Sequence, residues 1–166
     1  MAKPWRRTSR RIEIGANGSC RRERQDLNHY RLLEAMNQES EKAAIAAVHA
    51  FTETFNAQDH ERHAQTLNYP HIRLANGRFT RIESAEAFVE LSKRGEPRLA
   101  EEGWHHTTIA RLEVVHSGSD KVHVALRNDR CRADGSVYYS FDTFWIATLV
   151  DGHWGIQFRS SFLHAS

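Results

Sequence analysis

Cysteine is nearly absent: 166 residues hold two, Cys20 and Cys131. Two cysteines make neither a disulfide framework nor a zinc spacing, so a reducing cytoplasm is the expected compartment. Long apolar runs are missing as well. No stretch approaches the ~20 apolar residues that a membrane-spanning helix needs, and the N-terminus has no apolar segment of the kind a secretory signal carries. No glycine-rich phosphate loop, nucleophile elbow or Cys–His signature occurs. Histidine, by contrast, is plentiful at 11 residues. His60 and His63 stand at i, i+3 and His105 and His106 are adjacent, and neither spacing is a zinc signature. Neighbours on a strand point to opposite faces, so His105 and His106 are poorly placed to share an ion. No metal site is expected.

Charge is distributed unevenly. The net charge is +2, but residues 1–35 hold nine basic against four acidic residues, and the remainder fourteen against seventeen. The basic excess therefore belongs to the N-terminal segment. Residues 1–36 have no sustained apolar period, and their arginine-rich composition with Gly15, Asn17 and Gly18 suits a disordered tail. Beyond Trp5 and Tyr30 there is little aromatic interleaving, so neither a nucleic-acid partner nor a membrane partner is expected. Met36 stands immediately before the first helical pattern and is a candidate natural start. The folded domain is expected over residues 37–164.

What the domain has is pattern. Ala44, Val48, Phe51 and Phe55 recur at the helical period, after Asn37 or Ser40 as the cap. Asp59 caps a short second helix to about Leu67. Pro70 starts an extended segment, and Asn76-Gly77 is a strong hairpin signal. Ser84 caps a third helix, with Gly95 as its stop and a charged loop from Glu96-Pro97 to Gly103. The last third, from Trp104 to Phe162, reads as four strands of up to 12, 11, 14 and 9 residues. The intervening turns are Ser117–Asp120, Arg132–Gly135 and Asp151-Gly152. Strands usually run to about 5–6 residues, and a meander this long must twist and curl around the helices. The class is α+β.

Several local sequences in this order resemble the nuclear transport factor two-like superfamily. They are Phe51-x-x-x-Phe55-Asn56-Ala57-Gln58-Asp59, Asn76-Gly77-Arg78-Phe79, Gly103-Trp104-His105-His106 with Leu112-Glu113-Val114-Val115, and Asp151-Gly152-His153-Trp154-Gly155-Ile156. The resemblance covers about residues 38–163 and is greatest to SnoaL-like proteins. It implies a curved antiparallel sheet forming a cone closed by three N-terminal helices, a cystatin-like α+β barrel, with an apolar pocket at its mouth. Members include ketosteroid isomerase, scytalone dehydratase, limonene epoxide hydrolase and polyketide cyclases, which work without metal or organic cofactor. Other members only bind or assemble, so the fold does not fix the function.

Strand parity supplies a candidate pocket. Alternation with Leu112 and Val114 puts Trp104, His106 and Thr108 inward. The inner sets continue with Asn128 and Arg130, with Tyr139 and Phe141, and with Phe158; a bulge would reverse any of these beyond it. His106 is the candidate acid–base group, against the alternative of a hydrogen-bonded structural histidine. Arg130 could hold a carboxylate or enolate oxygen, and Tyr139 could donate to an oxyanion. His71 and Arg73 share one face of the first strand. They are a base and an anion anchor if inward, and a solvated face if not. The carboxylate base that ketosteroid isomerase carries on its first strand has no counterpart in Ile72-Arg73-Leu74-Ala75. The expectation is a small-molecule-binding protein for a compact apolar ligand. It is either a cofactor-free isomerase, dehydratase or cyclase, or a non-catalytic binding or assembly module. The strand from Val137 is apolar on both parities in its second half. A homodimer through the convex sheet face, with Phe144 and Ile146 in the interface, would cover the second set.

Overall fold

The computed structural model describes residues 20–163, with side chains from Arg31 onward. The expected disordered tail lies outside the described residues for positions 1–19. Positions 20–36 are helical. By internal contacts the chain divides into two units, Met1–Leu33 and Glu34–Ser166.

Helix α1 spans Cys20–Asn56, so neither Asn37 nor Ser40 starts it. Its first part is rich in Arg, Glu, Gln and Leu, which are good helix formers without tertiary support, and Leu32, Leu33 and Met36 stay exposed. The stripe of Ala44, Ala47, Val48 and Phe51 is buried. Helix α2 (His60–Gln65) is capped by Asp59, whose carboxylate accepts from the Arg62 amide. Strand β1 (Leu67–Ala75) starts before the cis Tyr69-Pro70 peptide, earlier than Pro70 itself. It turns at Asn76-Gly77, both at positive φ, into β2 (Arg78–Ile82).

Helix α3 (Ala85–Glu101) is capped by Ser84, but Gly95 does not end it and Pro97 lies within it. The stop is Gly103, at φ +72. Around it the amides of Glu102, Gly103 and Trp104 donate to the carbonyls of Arg98, Ala100 and Leu99. The extra turns bring half-buried Leu99 over the sheet, and that burial outweighs the weak helix propensity of Gly95. Strands β3 (His106–Ser117), β4 (Lys121–Cys131), β5 (Val137–Val150) and β6 (His153–Ser161) have the expected lengths.

The strand order is β2-β1-β6-β5-β4-β3. Four of the five pairings are antiparallel, but β1 runs parallel to β6. The expected α+β fold, a sheet covered by helices, is present; the sheet is mixed and open, with β2 and β3 at its edges, and it departs from the antiparallel expectation in the single β1–β6 pairing. The reason is topological: β1 and β6 are joined through α3 and four further strands, so nothing requires them to run in opposite directions. The core lies between one sheet face and the helices, where Phe51 and Phe88 meet Val124, Leu126, Trp145 and Ile156. Among the described residues no helix is long and apolar enough to cross a membrane.

Two irregularities decide which side chains share this inner face. Between β3 and β4 the register shifts between Ile109 and Arg111. Thr107 and Ile109 therefore join Leu112 and Val114 on the inner face. Between β5 and β6 the register shifts so that Ala147 pairs Ile156 while Ile146 pairs Phe158. Beyond that bulge Arg159, not Phe158, faces inward with Trp145, its partner in register.

Candidate functional site

A cavity of about 420 Å³ opens between α1, α2, α3 and the inner sheet face. Phe51, Phe55, Phe88, Leu99, Phe141 and Trp145 form its apolar wall. The polar wall is dominated by five arginines, Arg73, Arg94, Arg98, Arg130 and Arg159, and no Asp or Glu lines the cavity among the described residues. A groove along β1 and β2 shares Arg73 and Asn76 with it.

The arginines are not equivalent. Arg130 donates to Glu102 at 2.5 Å, and Arg98 pairs with the same carboxylate at 3.1 Å. The Tyr138 hydroxyl donates to it as well, at 3.3 Å. One carboxylate therefore serves two guanidinium groups at the C-terminal end of α3. Arg73 and Arg159 have no acidic partner among the described residues. They are direct partners in the parallel β1–β6 register and lie on one face. Like charges set side by side across strands destabilise a sheet, and removing a guanidinium from bulk water costs several kcal/mol. Burial, followed by the charge of Arg73, holds the Arg159 pKa well below its usual value. Burial, followed by Arg98 and Arg130, lowers Arg73.

Arg159 is positioned by its surroundings. Its guanidinium lies over the ring of Phe51 at 4.5 Å and near Trp145 at 5.8 Å. Its Nε donates to His71 Nε2 at 3.2 Å. His71 is fully buried, and its Nδ1–H donates to the Ile156 carbonyl at 2.9 Å. That bond fixes the tautomer that can accept from Arg159. The terminal nitrogens of Arg159 have no hydrogen-bond partner among the described residues. They stand as free donors on the cavity wall.

Two histidines near the arginines are held neutral. Burial, then the charge of Arg159, takes His63 down to about 3 and His71 down to about 3. His63 lines the cavity. Its Nδ1 lies 2.9 Å from Thr54 Oγ1, whose own proton is donated to the Ala50 carbonyl at 2.8 Å. His63 is therefore the donor in that contact, and its Nε2 is left as an acceptor. The edge between α2 and α3 is clamped by His60, whose ring nitrogens bond Ser92 at 2.9 Å and Glu96.

The expected site residues divide as follows. Arg73, Arg130 and Phe141 line the cavity. His71 lies behind the wall as the support of Arg159. Trp104 packs on Phe55 at 5.1 Å and donates to Thr107 at 3.0 Å, sealing the wall from behind. Asn128 is inward and buried, with its Oδ1 unpartnered, but does not line the cavity. Tyr139 is beside Arg130, stacked on Phe141 at 5.8 Å, with its hydroxyl on the Phe162 carbonyl at 3.4 Å. His106 and Thr108 fall on the opposite face, paired in register with Cys131 and Asp129. His106 meets His105 at 3.1 Å among exposed side chains. Phe158 is also on the outer face, with Ile72 and Ile146 as its register partners. In each case the bulge reverses the alternation. Sequence reasoning missed Arg159 for the same reason, and missed His63, whose signal was its place three residues from His60 facing the Phe51–Phe55 stripe. Among the described residues no three His, Cys, Asp or Glu side chains are grouped to hold a metal ion.

Comparison with known proteins agrees with this architecture. The family described as "NTF2-like protein (DUF6841)" matches residues 39–158. An NTF2-like protein of unknown function from Shewanella oneidensis is 16% identical, with 74% of this chain and 98% of that chain covered and a TM-score of 0.57. An NTF2-like protein with a cystatin-like fold from Novosphingobium aromaticivorans is 13% identical, covering 82% and 86%, with a TM-score of 0.63. A ketosteroid isomerase-like protein from Erwinia carotovora atroseptica is 16% identical, covering 75% and 96%, with a TM-score of 0.56. At these identities the likeness is one of fold. No curated protein matches the chain significantly.

Proposed function

The chain belongs to the NTF2-like family described as DUF6841, and on that scaffold we propose that it binds a compact small molecule in the cavity under α3. One observation carries this reading. The concave space of about 420 Å³ has an apolar, largely aromatic wall broken by a few convergent polar groups, which is the usual make-up of a small-ligand site. Binding is favoured over isomerase-type proton transfer. No carboxylate lines the cavity among the described residues, and a histidine held at about 3 is a weak base at neutral pH. The proposed assembly is a homodimer through the outer sheet face. Ile72, Phe144, Ile146 and Phe158 supply half-buried apolar surface there in one chain.

The test is thermal-shift and calorimetric titration with a panel of single-ring aromatic compounds, charged and neutral. Saturable binding by any of them to the purified chain is expected, and it should be lost in Leu99→Trp, which fills the space from the α3 side. A panel without a binder, or binding unchanged by Leu99→Trp, would remove the cavity as the site.

A further inference from the structure

We propose that the cavity is selective for a small aromatic carboxylate, whose head group is held by Arg73 and Arg159 and whose ring lies against Phe51, Phe88 and Trp145. The inference rests on the small-molecule reading of the cavity and names its ligand class. Three observations carry it. Arg73 and Arg159 are register partners on one sheet face and have no acidic partner among the described residues. The terminal donors of Arg159 are free, while its Nε is fixed on His71 and its plane is fixed over Phe51. The other buried cation of the same wall, Arg130, is neutralised within the fold by Glu102.

A pair of cations left unneutralised beside one that is neutralised marks the place where a ligand supplies the charge. The head group is a carboxylate because a planar fork of free N–H donors matches two coplanar oxygens. Neither of the described N-caps, Asp59 and Ser84, at the kind of helix end that often holds phosphate, is part of the wall. The ligand also meets an acceptor. His63 lines the cavity and spends its Nδ1 proton on Thr54, which leaves Nε2 to accept. A ring hydroxyl opposite the carboxylate would donate to it, so hydroxylated aromatic acids are the best-matched members of the class.

The experiment compares benzoate and 4-hydroxybenzoate with their neutral amides and with phenyl phosphate, by calorimetry at pH 7.5 on the full chain. Both acids are expected to bind at least about tenfold more tightly than the amides, with the hydroxylated acid ahead. Arg73→Met and Arg159→Met should each weaken the acids by about tenfold or more and leave the amides unchanged. Neither variant should melt earlier than the parent without ligand, because each removes one of two like charges. His63→Phe should abolish the preference for the hydroxylated acid and keep benzoate binding. Amides binding as tightly as acids would overturn the carboxylate assignment and leave the cavity reading standing. Phenyl phosphate binding more tightly than benzoate would overturn the choice of head group. Arginine variants that melt several degrees earlier while still binding the acids would make the pair structural. Binding by no compound of either charge would overturn both readings.

Discussion

Two arginine sites line one cavity, and their difference is instructive. On the β4 side Arg130 is met by Glu102 from the end of α3. On the β1–β6 side Arg73 and Arg159 are met by each other and by a neutral histidine. The residue type is the same, and all three line the same cavity. What differs is whether the chain completes the electrostatics itself. A site that the fold neutralises belongs to the architecture; a site that it leaves charged is maintained at a cost to stability. Such a cost persists where it serves something outside the chain.

Removing the carboxylate from the first site would make the two alike. Glu102→Ala would leave Arg130 buried without its carboxylate, and would also unpair Arg98 and Tyr138. Removing one partner of a buried ion pair typically costs about 3–5 kcal/mol. Glu102 is partly open to solvent, so a loss of about 2–3 kcal/mol is expected, read as a fall in the urea midpoint with an unchanged m-value. If Glu102→Ala proved neutral, Arg130 would be as poorly neutralised as Arg159 and the contrast would disappear.

A second effect depends on pH. His63 and His71 are held at about 3 in the fold, against about 6.5 in an unfolded chain. Between those values the unfolded state binds the protons and the native state does not. Stability therefore rises with pH through this window and is lost as the pH falls from about 6.5 towards 3. Each histidine contributes up to about 1.4 kcal/mol per pH unit near the middle of the window. Urea denaturation at pH 7 and pH 5 should show the loss, and His63→Gln should reduce its slope. The chemistry also protects the comparison, because a protonated His71 would add a third positive charge against Arg159. A stability profile flat from pH 7 to pH 4 would mean that these rings are not held neutral.

How far the sequence disclosed all this depends on what each feature rests on. Periodicity and turn chemistry are local. The Ala44–Phe51 stripe, the Asp59 and Ser84 caps, the Asn76-Gly77 turn and the lengths of the four long strands were all legible from neighbouring residues. The stop of α3 was not, because Gly95 reads as a helix end until Leu99 is known to have a surface to cover. The parallel β1–β6 contact was not legible either, since no local signal states which distant strand will be a neighbour. The site suffered most. A strand's inner face is legible only up to the first bulge, and each flanking strand of the cavity has one. Arg130, Phe141 and Arg73 were within reach of parity. Arg159 lay beyond a bulge, and His106 was assigned inward across another.

That last residue provides the smallest expected effect and a strict control. Alternation alone would make His106 the acid–base group of an inward-facing pocket. The register instead pairs it with Cys131 and leaves its ring against His105, on the face away from Arg73 and Arg159. A half-buried side chain whose one hydrogen-bond contact is to exposed His105 contributes little, so His106→Ala should alter stability by no more than about 0.5 kcal/mol. Its affinity for an aromatic acid should match the parent chain, because the cavity wall begins at the next residue, Thr107, which points the other way. Thr107→Val at that adjacent position is the informative partner. It removes the hydroxyl that accepts from the Trp104 indole at 3.0 Å, while the backbone bonds of Thr107 to Asn56 remain. It should therefore cost about 1 kcal/mol or somewhat more and disturb the wall behind Phe55. If His106→Ala weakened binding and Thr107→Val did not, the bulge between Ile109 and Arg111 would be misplaced, and the inner face of β3 would be the one that simple alternation predicts.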